Sequence, residues 1–300
     1  MFDTILTHIL PLAYKLTIPI ALAAIAGTIS ESVGVTNLGL EGMMLFGAFA
    51  AVVGSYFTGN AAFGVLLGML IGLVVGLIHV TACVKFKAHQ SVSGVAINLL
   101  ASGLTAFLTT TIFGQEASPL VTRLANITVP FISKIPYLGI FFENQSPFFY
   151  ILPMIVIISN TIFYRTRWGL RIIAIGNHPQ AALAAGVNVT KYRFIGVMLS
   201  GAIAGLGGAY LSVSLGNSFV SDMVAGRGFM GLASNIFGGW SPIGSFLASF
   251  LFALAQSVRY YVAGGRFPTQ IIQMIPYITT LVVLVTVAKR SKAPESLGKL

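Results

Sequence analysis

Charged side chains are scarce in this sequence. Lys, Arg, Asp and Glu make up 8% of its 300 residues, where a soluble domain carries about 25%. Too few polar groups remain to cover a water-facing surface, which excludes an ordinary soluble globule. Acidic residues are scarcer still, seven against 17 Lys and Arg. The resulting formal charge of +10 would point to nucleic acid in a soluble protein. In an oily chain it reads as topology, because basic residues collect in cytoplasmic loops, and no nucleic-acid partner is expected. There is one cysteine, Cys83, so an internal disulfide framework and a multi-cysteine metal site are excluded. Its neighbours Thr81, Ala82 and Val84 predict a buried, inert thiol. No GxxxxGK[ST] run is present to cradle phosphates, and no HExxH pair to hold a metal. His8, His79, His89 and His178 are scattered, and no Ser/His/Asp set stands out, so neither a catalytic nor a metal site is expected. The opening MFDTILTHIL lacks the basic n-region and small-residue cleavage site of a signal peptide, so the first apolar segment is expected to stay in the mature protein.

What the chain has is oil: 56% hydrophobic residues and a mean hydropathy of +0.90. A membrane span needs about 20 apolar residues. Candidate spans are Leu12–Ile29, Leu38–Phe57, Ala61–Val84, Val92–Phe113, Phe148–Tyr164, Phe194–Leu215, a short Gly228–Phe237, Ile243–Val262 and Ile271–Ala288. The expected fold is therefore all-α: one polytopic membrane helix bundle over residues 1–300, of about 8–10 spans, with short or broken helices near its centre. Lys85 and Lys87, five basic residues between Arg165 and Arg193, then Lys289, Arg290, Lys292 and Lys299, would face the cytoplasm; that is eleven of the 17. The segment 114–147 carries Glu116, Arg123, Lys134 and Glu143, sums to zero, and belongs outside. Counting back from Lys85 puts the N-terminus outside. Gly68, Gly72 and Gly76 share one helix face, as do Gly201 and Gly205, and are read as close internal helix packing rather than a dimer seam.

The loop 165–193 is the one long polar interruption, with Arg165, Arg167, Arg171, Lys191 and Arg193 and no acidic residue. Asn177 can cap a new helix, with Pro179 in its first turn. His178 would make a polar contact at the helix start. Gln180, Ala181, Ala182, Leu183, Ala184 and Ala185 are strong helix formers, and Gly186 ends the run. Two turns are marginal alone in water, so this helix makes sense either packed into a partner's groove or as an amphipathic connector on the membrane surface.

Polar residues inside spans are the other candidates. Asn37 and Glu41 are four apart, hence on one helix face; an intramembrane carboxylate usually faces a cavity or a partner. They either line a translocation path or stabilise the bundle by hydrogen bonds. Glu31, at a span's end, reads as an interfacial charge. Asn98 can bond a polar solute or a neighbouring helix. Ser234 and Asn235 lie in the short segment after Gly228, the pattern of broken helices that line binding sites. Phe229 and Phe237 flank them, able to stack on a base or simply to pack.

Three stretches together resemble a known family. GLRIIAIGNHPQAALAAGVNV is similar to the coupling-helix segment of permease subunits of bacterial ABC importers, in the ribose, branched-chain amino acid and nucleoside group. ESVGVTNLGLEGMMLFGAF, residues 31–49, looks like that group's N-terminal signature, and GRGFMGLASNIFGGWSPIGSFLASFLFALAQ, residues 226–256, like its C-terminal one. The NLGLEG and RGFMGL wordings look most like nucleoside-type permeases. The resemblance implies a non-enzymatic pore subunit of the bacterial inner membrane, without a cofactor of its own. It would pair with a second, homologous permease or with itself, with ATPase subunits that bind ATP and Mg, and with an extracytoplasmic substrate-binding protein or lipoprotein. Asn177 to Gly186 would be the coupling helix, and the solute a nucleoside, with ribose, another sugar or a branched-chain amino acid as alternatives. Asp222, Arg227, Arg259 and Arg266, on the outer side, could meet the binding protein. An ion-coupled secondary transporter is the competing class; it would need Glu41 as its essential carboxylate.

Overall fold

The computed structural model describes residues 5–128, 142–262 and 292–299. The expected span 271–288, the side chain of Arg259, and Pro130, Lys134, Pro136, Arg266, Lys289 and Arg290 lie outside the described residues. The helices are α1 (Leu10–Ser32), α2 (Leu40–Thr58), α3 (Ala61–Val80), α4 (Gln90–Phe113), α5 (Pro147–Arg165), α6 (Arg167–Asn177), α7 (Pro179–Ala184), α8 (Val189–Tyr210), α9 (Arg227–Phe237) and α10 (Pro242–Val262). Among the described residues the only β-type pairing is two isolated bridges, Ala117 with Val220 and Ile127 with Gln145. Six helices are long and apolar enough to cross a membrane, and α10 is a further apolar helix. The all-α polytopic bundle expected from composition is the fold observed.

Local signals start and stop these helices. Asn60 accepts the N–H groups of Ala62 and Phe63 at the start of α3, and Ser146 that of Phe148 at the start of α5, where Pro147 costs no hydrogen bond. Gly59 and Gly114 end α2 and α4 in the left-handed conformation that only glycine takes freely.

Helices α1, α2 and α8 form the buried centre, with α3, α9 and α10 packed around them. The glycine faces do this work in α3 and α8. A Cβ on Gly72 would stand 2.3 Å from the Gly201 carbonyl oxygen, and one on Gly205 2.4 Å from that of Gly68. The two backbones touch because neither has a side chain there. Helix α4 is mostly outside this core and shows Val92, Leu99 and Phe107 outward, an apolar surface suited to lipid or another subunit.

The two ends of the bundle differ in charge. At one end Gln90 Oε1 accepts the Thr36 N–H, Arg193 Nε donates to the Val33 carbonyl, and Ser296 reaches Gly176. These contacts gather Lys85, Lys87, the loop 165–193, Lys292 and Lys299 on that side. At the other end residues 118–124 pair their N–H groups with Phe219, Asn217 and Val213 carbonyls, and Tyr210 bonds Lys15 near the start of α1. Helix α1 starts at the end opposite the basic one.

Candidate functional site

At the basic end the loop 165–193 holds two helices, not one. The sequence showed only α7; α6 precedes it, capped by Thr166, which accepts the Gly169 N–H. Its apolar side, Ile172 and Ile175, is buried, while Arg167 and Arg171 are exposed. Asn177 is the last residue of α6, and His178 stands at the α7 N-cap without a side-chain cap bond. The expectation that Asn177 caps the docking helix therefore gives way: α6 runs one residue further and takes it. Pro179 opens α7 and Gly186 follows it with φ +77°, as the sequence implied.

Helix α7 has two faces. Ala182 is buried against Ile175 and Val189, so it anchors the helix to its own chain. Leu183, 57% exposed, and Gln180, Ala181, Ala184 and Ala185 point outward. Six residues cannot hold a helix alone in water; this one is held by that small core.

Deeper in the bundle, α1 and α2 are separated by a break at Val33–Gly39 whose backbone is largely buried. Each exposed polar group of such a break must find a partner, and several long-range side chains supply them. Asn98 donates to the Leu38 carbonyl at 2.9 Å and accepts the Gly42 N–H at 2.8 Å. His79 Nε2 lies 3.2 Å from the Thr36 carbonyl. Asn37 accepts the Gly39 N–H and donates to Ser200 at 3.2 Å. Asn37 thus sits in the break rather than on the α2 face, so it does not share a helix face with Glu41.

Glu41 is in the first turn of α2, and its carboxylate closes the start of α9. Oε1 accepts the Gly226 N–H and Oε2 the Gly228 N–H, both at 2.7 Å. A helix N-terminus has unpaired N–H groups and a partial positive charge; here another helix supplies the anion. Gly228 allows it, since a Cβ there would lie 2.6 Å from Glu41 Cα. Near the middle of α9, Gly231 meets Ala23 and Ala24, about halfway along α1, and the end of α9 lies near Glu31. It is a half-length helix inside the bundle, as its short apolar run implied.

The end of α9 carries a polar cluster that sequence reasoning missed. Glu31 is 4% exposed, not interfacial. Its Oε2 accepts Asn235 Nδ2 at 2.8 Å and the indole N–H of Trp240. Asn235 Oδ1 lies 2.8 Å from Thr28 Oγ1, which lies 2.9 Å from Ser245 Oγ. The cluster ties α1, α9 and α10. Ser234 Oγ is fully buried with no hydrogen-bond partner among the described residues. Phe229, 49% exposed, opens outward beside the Glu41 contact, and Ile236 lies exposed further along α9. Of the six residues singled out, Asn37, Ser234 and Asn235 are thus buried inside the chain, Asn98 and Glu41 bond neighbouring backbone, and Phe229 faces an open side.

The fold is thus a polytopic helix bundle with a break between its first two spans, a mid-bundle half helix and a short, largely exposed helix at its basic end. Residues 12–284 match the family of branched-chain amino acid transport system permease components, and the chain belongs to that family. It is 37% identical to the guanosine ABC transporter permease protein NupQ of Bacillus subtilis (strain 168), over 98% of this chain and 96% of that one. It is 36% identical to the nucleoside ABC transporter permease protein NupC of Lactococcus lactis subsp. cremoris (strain MG1363), over 93% and 92% of the two chains. Among solved structures, an inward-facing metal-chelate type ABC transporter shares the fold, with a TM-score of 0.52 at 14% identity, covering 94% of this chain and 88% of that one. The protein is a multi-pass permease subunit of an ABC transporter.

Proposed function

We propose that this chain forms half of the pore of a nucleoside importer in the bacterial inner membrane, worked by separate ATPase subunits. The observation that carries the coupling is α7: a short exposed knob, fixed to its own chain by Ala182 and set among basic residues at one end of the bundle. ATP closes two ATPase subunits around that knob and its counterpart on the second permease, and the spans rock between outward and inward openings. The nucleoside is supported by the two relatives named for guanosine and nucleosides. The open face of α9 suits it: Phe229, 49% exposed, offers an aromatic plane on which a base can stack. Both Glu41 oxygens are occupied by α9 N–H groups, which argues against a free carboxylate for ion coupling.

A 32%-identical relative in Haloferax volcanii carries a glucose name, so sugar is the competing solute. The test is reconstitution with the ATPase subunits, the sister permease and the binding protein, followed by uptake of radiolabelled guanosine, uridine, glucose and leucine. ATP-dependent uptake of nucleosides supports the reading. Uptake of glucose or leucine alone overturns the solute, and uptake independent of ATP overturns the class.

A further inference from the structure

Beside α7 lies a groove of about 690 Å³ whose second wall is the C-terminal segment. Asn177, His178, Gln180 and Leu183 stand on one side, Glu295 and Lys299 on the other, with Arg193 between them. The segment is held in place by backbone-level contacts. Ser296 is buried; its N–H donates to the Gly176 carbonyl at 2.9 Å, its hydroxyl to the same oxygen at 2.7 Å, and Gly298 N–H reaches the Gly34 carbonyl. It thereby completes the last carbonyls of α6, which a helix end leaves open.

Arg193 is the unusual member. It is only 9% exposed, and the hydrogen bond described for it is from Nε to the Val33 carbonyl. His178 Nδ1 lies 3.6 Å from Glu295 Oε2, and both of those side chains are open to water. No carboxylate among the described residues pairs with Arg193. A largely desolvated guanidinium has five donors and a charge that is costly to leave uncompensated. Its planar fork is suited to a carboxylate held by two bonds. The surroundings are basic as well: Arg165, Arg167, Arg171 and Lys191 stand on the same end.

We propose that this groove receives an acidic side chain of the ATPase subunit, which completes Arg193, and that the C-terminal segment is part of the ATPase docking surface alongside α7. This rests on the docking role proposed for α7. The occupant is an Asp or Glu carboxylate because the groove offers an unpaired buried cation within a basic face.

The test uses the whole transporter, purified through a tag on the permease, with the ATPase:permease ratio and ATPase activity measured from low to high salt. Gln180→Glu places a competing carboxylate in the groove from an exposed position, so it leaves the buried contacts of Arg193 intact. The proposal expects it, like Arg193→Gln, to weaken retention of the ATPase by about thirtyfold or more, the loss from breaking a buried charge pair. It also expects uptake in Gln180→Glu to be restored by second-site changes of an acidic ATPase residue to Lys or Arg. If both variants keep the wild-type subunit ratio while Leu183→Glu releases the ATPase, the groove is not an ATPase site and the proposal is overturned, with α7 docking intact. If Leu183→Glu also leaves the ATPase bound, the docking reading itself has failed.

Discussion

Replacing Glu41 by alanine should loosen the start of α9. In the native chain its two oxygens accept N–H groups of Gly226 and Gly228 at 2.7 Å. Hydrogen bonds to a charged group contribute about 1.5–3 kcal/mol each, so the pair contributes about 3–6 kcal/mol. Water entering the vacated space restores roughly half of that. The remainder raises the local opening constant of the first turn of α9 by about ten- to 150-fold. The assay is amide hydrogen exchange, read by mass spectrometry on protein in lipid nanodiscs, at residues 224–230 and, as a control, in α3. Glu41→Gln keeps one acceptor and should fall between wild type and Glu41→Ala. Exchange at 224–230 that stays within about threefold of wild type in Glu41→Ala would refute the claim that this carboxylate holds the half helix.

Gly72→Ala puts a methyl 2.3 Å from the Gly201 carbonyl, so it should cost about 1–3 kcal/mol as an overpacked contact and lower the Tm, while Gly103→Ala, with open space around it, should not. Ala182→Glu should destabilise the purified permease by burying a charge between Ile175 and Val189; Leu183→Glu, on the outward face, should leave the Tm unchanged and abolish stimulation of the ATPase. Glu31→Ala removes the acceptor of the Trp240 indole; in a Trp168→Phe background the Trp240 emission should shift, and an unchanged spectrum would count against that bond.

Much of this arrangement was legible in the residues themselves. Long apolar runs place the spans, Gly68, Gly72 and Gly76 mark the touching face of α3, and the Pro179-to-Gly186 run marks α7, because these are local patterns with a local cause. Partners far apart in sequence were not legible. Glu31 looked interfacial because nothing near it reveals Asn235 and Trp240, its hydrogen-bond donors some 200 residues on. Between the spans read at Leu12–Ile29 and Leu38–Phe57, Asn37 was assigned to the helix of Glu41 because the groups that hold the break at Val33–Gly39, Asn98, His79, Gln90 and Arg193, come from three other helices. Helix α6 was missed because its apolar face is narrow and its other face is basic, so it merges with the polar loop. The packing of Ser296 against Gly176 has no signal in sequence at all.

The central claim is that α7 docks a nucleotide-hydrolysing subunit on the cytoplasmic side. Cys83 is fully buried, so a single exposed cysteine at Leu183→Cys gives a clean attachment point for a bismaleimide. In membranes holding the complete transporter, the account predicts a cross-link from that position to the ATPase subunit, and no labelling by an impermeant maleimide added outside. Labelling from outside, or cross-linking that never includes the ATPase, would contradict it.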